Sequence, residues 1–403
     1  MTVTVNKSLA FGTVSAPPSK SDAHRCLIAA AMSQGSRIKN VAESEDIKAT
    51  LNCLKNLGAK VEIKGDTVYL GGLNPFDIPE NTLIDCGESG STLRFLLPLC
   101  WLSDKSVTLT GRGRLMERPL DVYEEICENR GVSFTRADNK ITVCGRLTGG
   151  EFRVRGDISS QFITGLLFTL PLLAEDSKIV IVGNLESEPY INMTLSTLAF
   201  FGIKIEKTDY GYYIKGNQRY VARDLTVEGD YSNAAFLDAF NLLGGKVDVT
   251  GLKDDSLQGD KIYRLMFEQL KSGIKSFDLA NCPDLAPVMF ALSAALGGAK
   301  FTGTKRLKIK ESDRAEAMKQ ELHKFGINVE VSENSVEVKA GELKAPEEIL
   351  CGHNDHRIVM SLVLLLTLTG GSIEGAEAVS KSFPDFFEKI KTLNIGFVTD
   401  ETR

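Results

Sequence analysis

The sequence predicts a mixed α/β protein built from six βαβ-type units with extra hairpin strands, and three observations support this. One pattern returns six times along the 403 residues: a short β-like run, a small-polar loop, then an apolar stretch with helical spacing. Counted from positions 18, 86, 157, 230, 282 and 351 in these loops, the gaps are 68, 71, 73, 52 and 69 residues. Each helix starts beside Ser, Asp or Asn, the residue types that cap helices. The alternating segments 60–63, 67–70 and 329–331 are typical of half-buried strands.

Six units divide into two groups of three, and a length of 403 residues suggests two or three domains at about 150 residues each. We expect the seam near 218–225, with the first strand of the chain free to pair with the C-terminal half. The predicted domains are therefore 15–221, and 1–14 together with 222–403.

Composition excludes several classes of protein. The 53 acidic and 47 basic residues give a net charge of -6, which argues against general nucleic-acid binding. The eight cysteines form no C-x-x-C pair and are predicted to be buried free thiols of a reducing compartment. The start of the chain lacks a targeting pattern, and the longest apolar run, 358–368, is too short to span a bilayer. We expect a cytoplasmic protein that binds neither nucleic acid nor membrane.

Four loops in the first half carry donors for anionic ligands. Segment 17–25 places Lys20, Ser21 and Arg25 on one loop and the first helical turn. Segment 85–94 has glycines that let backbone approach a ligand and ends at Arg94. Segment 111–119 holds three arginines, and 156–161 holds two hydroxyls and an amide. Taken singly, each is also typical of an ordinary helix cap or an exposed basic turn.

The second half adds carboxylates to these cations. Asp284 lies at a helix start, and 308–314 alternates cations and anions between a strand-like segment and a helix. A polar cluster at 354–357 precedes an almost wholly apolar helix, so its groups must be satisfied by a partner. Lys381 precedes an aromatic turn stiffened by proline.

Absent motifs narrow the chemistry further. The sequence has no H-E-x-x-H, no Cys/His zinc spacing, no G-x-S-x-G and no G-x-x-x-x-G-K-[ST]. Metal-dependent hydrolysis, Ser-triad acyl transfer and P-loop phosphoryl transfer are therefore disfavoured. The remaining candidate site is rich in cations with carboxylates among them. Such a site suits a reaction of phosphate and carboxylate substrates in which protons also move.

The order of these loops resembles the 3-phosphoshikimate 1-carboxyvinyltransferase family of enolpyruvyl transferases, also called 5-enolpyruvylshikimate-3-phosphate synthases, over the whole chain. The motifs are Ser-Lys-Ser-x-x-x-Arg, Gly-x-x-Gly-[ST]-x-x-Arg, Glu-Arg-Pro, Ser-Ser-Gln, Pro-Asp, Lys-Glu-Ser-Asp-Arg, Asp-His-Arg and Lys-x-Phe-Pro. The resemblance implies a two-domain inside-out α/β barrel, each domain having three βαβαββ units about a pseudo-threefold axis, with the active site in the interdomain cleft.

The resemblance also implies an activity: transfer of the enolpyruvyl group of phosphoenolpyruvate to the 5-hydroxyl of shikimate 3-phosphate. Phosphate is released by addition and elimination through a tetrahedral intermediate, in the shikimate pathway to chorismate and the aromatic amino acids. Glyphosate is the family's inhibitor. Neither a metal nor an organic cofactor is expected, and we expect a monomer.

The site residues implied by the resemblance fall into three groups. Those for shikimate 3-phosphate are Lys20, Ser21, Arg25, Ser159, Ser160, Gln161, Ser187, Tyr190, Asp284 and Lys310. Those for phosphoenolpyruvate are Lys20, Gly90, Arg118, Gln161, Arg314, Arg357 and Lys381. Those for catalysis are Asp284, Glu311, Lys20 and His356, with Asp284 and Glu311 assigned to proton transfer.

The chain departs from the common family pattern at three positions. Glu88 stands where Asn is frequent, Glu188 where Lys often occurs, and Arg306 where Asn is common. A carboxylate at 88 is expected to repel phosphoenolpyruvate unless a cation such as Arg118 pairs with it or its pKa rises. Substrate affinity and the response to glyphosate therefore depend on Glu88.

Three other functions fit the sequence less well. The enolpyruvyl transferase that acts on UDP-N-acetylglucosamine usually carries a Cys in the loop corresponding to 111–119, where this chain has none. A silent anion-binding relative is disfavoured because Lys20, Asp284 and Glu311 are all retained. A nucleic-acid role, as in RNA-cyclase relatives, is disfavoured by the acidic composition.

Overall fold

The computed structural model describes residues 1–400 and divides into two compact units. The N-terminal unit is Lys20–Val227, and the C-terminal unit is Met1–Ser19 together with the chain from Glu228 onward. Each unit has its own hydrophobic core.

Twelve α-helices, connected by strands and short 3₁₀ turns, are found in the described residues. They are α1 Lys20–Ala31, α2 Glu45–Asn56, α3 Gly90–Leu96, α4 Asp121–Arg130, α5 Ser160–Thr169, α6 Glu188–Phe200, α7 Tyr231–Asp238, α8 Tyr263–Lys271, α9 Ala286–Ala295, α10 Arg314–Lys324, α11 His356–Thr369 and α12 Phe386–Thr392. The strands are β1 Thr2–Val5, β2 Phe11–Ser15, β3 Ser36–Lys39, β4 Lys60–Lys64, β5 Thr67–Gly71, β6 Thr82–Asp85, β7 Val107–Thr110, β8 Ser133–Ala137, β9 Lys140–Cys144, β10 Gly150–Arg155, β11 Ser177–Val182, β12 Ile205–Thr208, β13 Gly211–Ile214, β14 Leu225–Thr226, β15 Lys246–Thr250, β16 Ser276–Asp278, β17 Ala299–Thr302, β18 Val329–Val331, β19 Ser335–Val338, β20 Leu350–Cys351, β21 Gly371–Glu374 and β22 Phe397–Asp400.

The N-terminal unit has three four-stranded sheets with one common topology. Their strand orders are β14-β3-β5-β4, β6-β7-β9-β8 and β10-β11-β13-β12. In each sheet the first pair is parallel, and a hairpin completes the sheet with antiparallel pairs. Because parallel neighbours need a crossover connection, β6-α3-β7 and β10-α5-β11 are βαβ units. Each sequence repeat in this unit therefore corresponds to one four-stranded sheet.

The C-terminal unit repeats this topology twice and departs from it once. Its four-stranded sheets are β16-β17-β19-β18 and β20-β21-β1-β22, and its third sheet has only β15 and β2. The gap between the loops at 230 and 282 is only 52 residues. Because β15 and α8 already occupy this segment, too few residues remain there for a hairpin. The first strand of the chain, β1, lies between β21 and β22.

Burial explains why the helices lie inside each unit and the sheets outside. α5, α9 and α11 are apolar on nearly every face and are buried almost throughout. Strands such as β10 and β17 alternate buried and exposed residues, so one face of each sheet is polar. This is the inside-out α/β arrangement that the resemblance implies.

The unit boundaries differ from the expected breaks at 14/15 and 221/222, and lie at 19/20 and 227/228. Pairing explains the shift. Leu225 and Thr226 pair in parallel with Ile38 and Lys39, which keeps them in the N-terminal unit. The Ser19 amide donates to the Glu228 carbonyl at 2.8 Å, which keeps the residues just before 20 in the C-terminal unit.

Two further expectations concern the cysteines and the absence of membrane-spanning helices. All eight cysteines are free thiols; Cys144 and Cys351 are half-buried and the others are buried, which confirms the prediction of free and mostly buried thiols. Within residues 1–400, none of the helices combines the length and apolar character needed to cross a bilayer.

Candidate active site

The start of α1 presents two cations. The Lys20 ammonium lies 2.7 Å from the Asp46 carboxylate, and both side chains are mostly buried. The buried Arg25 guanidinium donates to the Ser21 carbonyl at 2.6 Å, the Tyr190 carbonyl at 3.0 Å and the Thr194 hydroxyl at 2.9 Å. These bonds fix Arg25 between α1 and α6. Burial lowers the pKa of Arg25 to about 10, which leaves it charged at neutral pH.

His24, between these two cations in sequence, is held neutral. It is fully buried, and burial together with the charges of Lys20 and Arg25 lowers its pKa well below the usual value. Its Nδ1 lies 2.8 Å from the Thr50 hydroxyl, which lies 2.6 Å from the Thr92 hydroxyl. His24 therefore links α1 to α2 and α3 and adds no charge.

Gln161 is fixed by two neighbours at the start of α5. Its carbonyl oxygen accepts from Arg94 Nη1 at 2.8 Å, and its amide nitrogen donates to the Ser91 hydroxyl at 3.0 Å. Arg94 also donates to the Pro119 carbonyl at 3.0 Å. Burial, followed by the charge of Arg118, lowers the pKa of Arg94 to about 9. Two arginines therefore lie close enough to repel, an arrangement that favours an anion nearby.

Two glycines, one at the start of α3 and one in the loop after β7, give close approaches. A methyl group on Gly90 would lie 2.5 Å from Arg118 Nη1, so only glycine lets the guanidinium rest on this backbone. Gly113, at φ +57°, lies under the Glu88 carboxylate, whose Oε2 is 2.6 Å from where a methyl group would be. The carboxylate of Glu88 thus packs on the arginine-rich loop 111–119.

The remaining residues of the N-terminal unit that are expected to bind shikimate 3-phosphate lie at the starts of two helices. The Ser159 side chain caps α5 by accepting from the Gln161 amide at 3.3 Å, and Ser160 begins that helix. Ser187 precedes α6 with a left-handed backbone at φ +58° and is 2% exposed. Tyr190 lies in the first turn of α6.

In the C-terminal unit, the Asp284 carboxylate is contacted by three cations. Arg314 Nη1 lies 2.9 Å from Oδ1, Arg357 Nη2 lies 3.1 Å from Oδ2, and Lys310 Nζ lies 3.4 Å from Oδ1. Asp284 lies in the 3₁₀ turn Pro283–Leu285 that precedes α9. The Asp284 carboxylate therefore joins cations of the segments 308–314 and 354–357. Arg357 is further fixed by the Ser232 hydroxyl at 2.5 Å.

Asp355 holds Arg314 in place through a buried ion pair. It is fully buried, caps α11 by accepting from the Arg357 amide at 3.0 Å, and accepts from Arg314 Nε at 2.8 Å. Burial opposes ionisation, but Arg314 holds the pKa of Asp355 below its usual value. Conversely, burial opposes the charge on Arg314, but Asp355, Asp284 and Glu311 raise its pKa. The pair is ionised at neutral pH.

Glu311 and His356 form a second pair. His356 Nδ1 lies 2.8 Å from Glu311 Oε2, and Arg314 Nη2 lies 4.0 Å from Glu311 Oε1. Ligand atoms of Glu311, Asp355 and His356 lie within 4.8 Å of one another, a grouping that metals also favour. The Arg314 guanidinium contacts two of these three groups and supplies positive charge beside them. Lys381 Nζ donates to the Asn354 carbonyl at 2.6 Å.

The expected site residues therefore divide between the units. The N-terminal unit carries Lys20, Ser21, Arg25, Gly90, Arg118, Ser159, Ser160, Gln161, Ser187 and Tyr190, and the C-terminal unit carries Asp284, Lys310, Glu311, Arg314, His356, Arg357 and Lys381. Lys310, Arg314 and Arg357 each contact Asp284, and His356 contacts Glu311.

The structure adds residues that the site prediction omitted. Asp46 pairs with Lys20, Arg94 with Gln161, and Asp355 with Arg314. Arg94 and Asp355 lie in motifs that the sequence singled out, and their placement one turn into a helix and at a helix cap was a usable signal. Asp46 lies in the first turn of α2 without a comparable signal.

Two departures from the family pattern have local partners. The Glu188 carboxylate lies 2.6 Å from Lys207 Nζ. Arg306 is 6% exposed and donates to the Ala280 carbonyl, in the loop that leads to Asp284. Arg306 therefore supports the segment that carries Asp284.

Solved structures share this architecture. An EPSP synthase from Acinetobacter baumannii matches with a TM-score of 0.78 and 20% identity, covering 99% of this chain and 100% of that one. The enolpyruvyl transferase NikO from Streptomyces tendae matches with a TM-score of 0.77 and 14% identity, covering 98% of each chain. The fold is that of the enolpyruvyl transferases.

Sequence comparison identifies the family. The profile described as EPSP synthase (3-phosphoshikimate 1-carboxyvinyltransferase) matches residues 6–390. The chain is 41% identical to the 3-phosphoshikimate 1-carboxyvinyltransferase of Clostridium novyi (strain NT), covering 97% of this chain and 96% of the relative. That of Clostridioides difficile (strain 630) is also 41% identical, with 95% of each covered. The chain belongs to the EPSP synthase family, which confirms the resemblance, the fold and the transferase class. The UDP-N-acetylglucosamine alternative is not favoured.

Proposed function

We propose that this chain transfers the enolpyruvyl group of phosphoenolpyruvate to the 5-hydroxyl of shikimate 3-phosphate and releases phosphate. The observation that carries the proposal beyond family membership is the grouping of Lys310, Arg314 and Arg357 around the single carboxylate of Asp284. An acid or base surrounded by cations is what a reaction between two polyanions requires.

The first task of the site is to bring together two substrates that repel each other. Arg25, Arg118, Arg314 and Arg357 present planar guanidinium groups suited to phosphate and carboxylate oxygens. Arg25 and Arg357 are held by hydrogen bonds to neighbouring elements, so little side-chain entropy is lost when they bind an anion. Shikimate 3-phosphate is assigned to the α1, α5 and α6 starts with Asp284 and Lys310, and phosphoenolpyruvate to Lys20, Gly90, Arg118, Gln161, Arg314, Arg357 and Lys381.

The second task is proton transfer. The 5-hydroxyl oxygen forms a bond to C2 of phosphoenolpyruvate, its proton passes to Asp284, and a proton from Glu311 reaches the methylene carbon. A tetrahedral intermediate with a methyl group results. The C2–O bond to phosphate then breaks, the methyl group returns a proton to Glu311, and the proton held by Asp284 leaves with the departing phosphate. Positioned acids and bases of this kind contribute about 10²–10⁴-fold in rate.

His356 and Lys20 support these steps. The imidazole contacts Glu311 at 2.8 Å, which orients the carboxyl group that exchanges protons with the methylene carbon. Lys20, set beside Asp46 at 2.7 Å, contributes positive charge where phosphate departs. No step in this sequence uses a metal or an organic cofactor.

We further propose a cytoplasmic monomer. The free, mostly buried thiols support a reducing compartment. Light scattering coupled to size-exclusion chromatography tests the oligomeric state. A monomer should give a mass near 44.0 kDa.

One assay tests the activity. Phosphate release is followed with phosphoenolpyruvate alone, with shikimate 3-phosphate alone, with both, and with phosphoenolpyruvate plus UDP-N-acetylglucosamine. We expect release only when shikimate 3-phosphate and phosphoenolpyruvate are both present. Release with the nucleotide sugar, or from phosphoenolpyruvate alone, would contradict the proposal, and binding of both substrates without release would indicate a silent relative.

A further inference from the structure

A buried glutamate on α10 lies apart from the residues assigned to substrates. Glu321 is 2% exposed, and it lies seven residues, or two turns, after Arg314. Residues with this spacing share one face of a helix. Both therefore project toward the segment 351–355, where Arg314 contacts Asp355 and Glu321 contacts Cys351.

Glu321 makes four polar contacts. Its Oε2 accepts from the Cys351 amide at 3.0 Å and from Lys324 Nζ at 3.0 Å. Its Oε1 lies 2.9 Å from His353 Nε2 and accepts from Lys324 Nζ at 3.2 Å. One carboxylate thus holds both the backbone and a side chain of the loop that leads into α11.

That loop has an unusual backbone. His353 and Asn354 are consecutive left-handed residues, at φ +48° and +51°. Such conformations are costly for residues with a Cβ and persist only where surrounding contacts impose them. Gly352 before them cannot be enlarged, since a methyl group would lie 2.7 Å from Val359 Cγ2. The turn is therefore strained and tightly confined.

The strained turn sets the direction of four consecutive groups. The Asn354 carbonyl accepts from Lys381 Nζ at 2.6 Å, and Asp355 receives Arg314. His356 reaches Glu311, and Arg357 reaches Asp284. A relaxed turn would shift all four together, because Asn354 is part of the turn and the other three residues follow it without a break in the chain.

We propose that Glu321 is a positioning residue for the reaction, because it holds the left-handed turn at His353 and Asn354 and so sets His356 against Glu311 and the Asn354 carbonyl against Lys381. The kinetic part of this inference rests on the proposed function. Glu321 itself contacts neither of the residues assigned to proton transfer, so it acts through the loop.

The test compares Glu321→Gln with Glu316→Gln, which makes the same change at an exposed position of α10 whose ion pair is with Lys319. We expect Glu321→Gln to lower kcat at least 10-fold and to raise the KM for phosphoenolpyruvate several-fold. The KM for shikimate 3-phosphate should stay within about twofold in both variants. Folding of each variant is checked by thermal unfolding.

A spectroscopic measurement makes the test independent of activity. The chain has only four histidines, so selective ¹⁵N-histidine labelling gives a simple spectrum. Glu321→Gln should shift the ring signals of His356 as well as His353, while His24 in the N-terminal unit stays in place. If the wild type lacks enolpyruvyl transfer, this spectrum still decides the positioning role.

Should Glu321→Gln fail to fold, His353→Asn removes only the imidazole contact and keeps a residue that tolerates the left-handed backbone. It should move the His356 signals and the KM for phosphoenolpyruvate in the same direction by a smaller amount. A folded Glu321→Gln variant with unchanged His356 signals and unchanged kinetics would overturn the proposal and leave Glu321 a purely structural residue. The same result for a folded His353→Asn variant would overturn it when Glu321→Gln does not fold.

Discussion

Gly90→Ala tests whether the guanidinium of Arg118 lies against phosphoenolpyruvate. Gly90 is the first residue of α3 and has no positive φ, so alanine fits its backbone. The new methyl group would lie 2.5 Å from Nη1, 2.9 Å from Cζ and 3.0 Å from Nη2 of Arg118. The end of a flexible side chain has to give way, and the backbone does not.

The size of the displacement follows from these distances. Ordinary contacts begin near 3.4 Å, so the guanidinium must retreat from 2.5 Å by about 1 Å. A misplacement of about 1 Å in a reacting complex costs up to roughly 10²-fold, or about 2.7 kcal/mol. Stability should not fall, since alanine is favoured over glycine in helices by up to about 1 kcal/mol.

We therefore expect kcat/KM for phosphoenolpyruvate to fall by roughly 10- to 100-fold, with the KM for shikimate 3-phosphate nearly unchanged. Steady-state kinetics with each substrate varied in turn measures both. Gly396→Ala is the matched control, since its nearest contact would be an ordinary 3.4 Å from Asn6 Nδ2. If Gly90→Ala keeps wild-type kcat/KM for phosphoenolpyruvate, Arg118 does not face that substrate and the assignment is wrong.

Three other substitutions follow from the contacts of the site. Asp284→Asn and Glu311→Gln should each lose at least about 10²-fold in turnover, while calorimetry still detects binding of shikimate 3-phosphate. Glu88→Asn removes a negative charge from the loop at Gly90 and should tighten phosphoenolpyruvate and glyphosate together by roughly 1 kcal/mol, as measured by the KM and the inhibition constant. Asp355→Asn leaves the buried Arg314 without its 2.8 Å carboxylate partner and should cost about 3 kcal/mol, seen as a Tm roughly 6–12 °C lower. Because Arg314 lowers the pKa of Asp355 in the folded state, this stabilisation is complete above the unfolded pKa of about 4 and is lost as the pH falls through the lower folded pKa.

Each of these predictions has an outcome that contradicts it. Near-normal turnover in either carboxylate variant removes that residue from proton transfer. Weaker binding of both ligands by Glu88→Asn would show that this carboxylate supports the site. Asp313→Asn makes the same change at the N-cap of α10, and an equal Tm loss there would mean that the charge of a capping carboxylate, rather than its pairing with Arg314, explains the effect of Asp355→Asn.

Much of the fold could be predicted from local sequence signals, because each unit repeats one pattern of strand, polar loop and apolar helix. The spacing even marked the short fourth unit, although not that it lacks a hairpin. The limits of the two compact units lie at 19/20 and 227/228 rather than at the expected 14/15 and 221/222, because these limits depend on strand pairing. Leu225 and Thr226 belong with Ile38 and Lys39, nearly two hundred residues away, and nothing local records that pairing.

The candidate site could likewise be predicted only in part from local sequence signals. Cations and carboxylates beside helix starts were visible in the sequence, so Lys20, Arg314 and Asp284 could be named. Their partners depend on which loops meet in space. Glu321 has the sequence context of an ordinary charge on an amphipathic helix, and only its burial and its contacts with the Cys351 backbone and the His353 side chain distinguish it.

The fate of one oxygen atom tests the central claim, enolpyruvyl transfer, most directly. Phosphoenolpyruvate carrying ¹⁸O between C2 and phosphorus is incubated with the protein and shikimate 3-phosphate, and the released phosphate is followed by ³¹P NMR. Addition and elimination break the C2–O bond, so all released phosphate should carry ¹⁸O, in equal amount to the shikimate 3-phosphate consumed. Unlabelled phosphate would show that the P–O bond breaks instead, and it would contradict enolpyruvyl transfer.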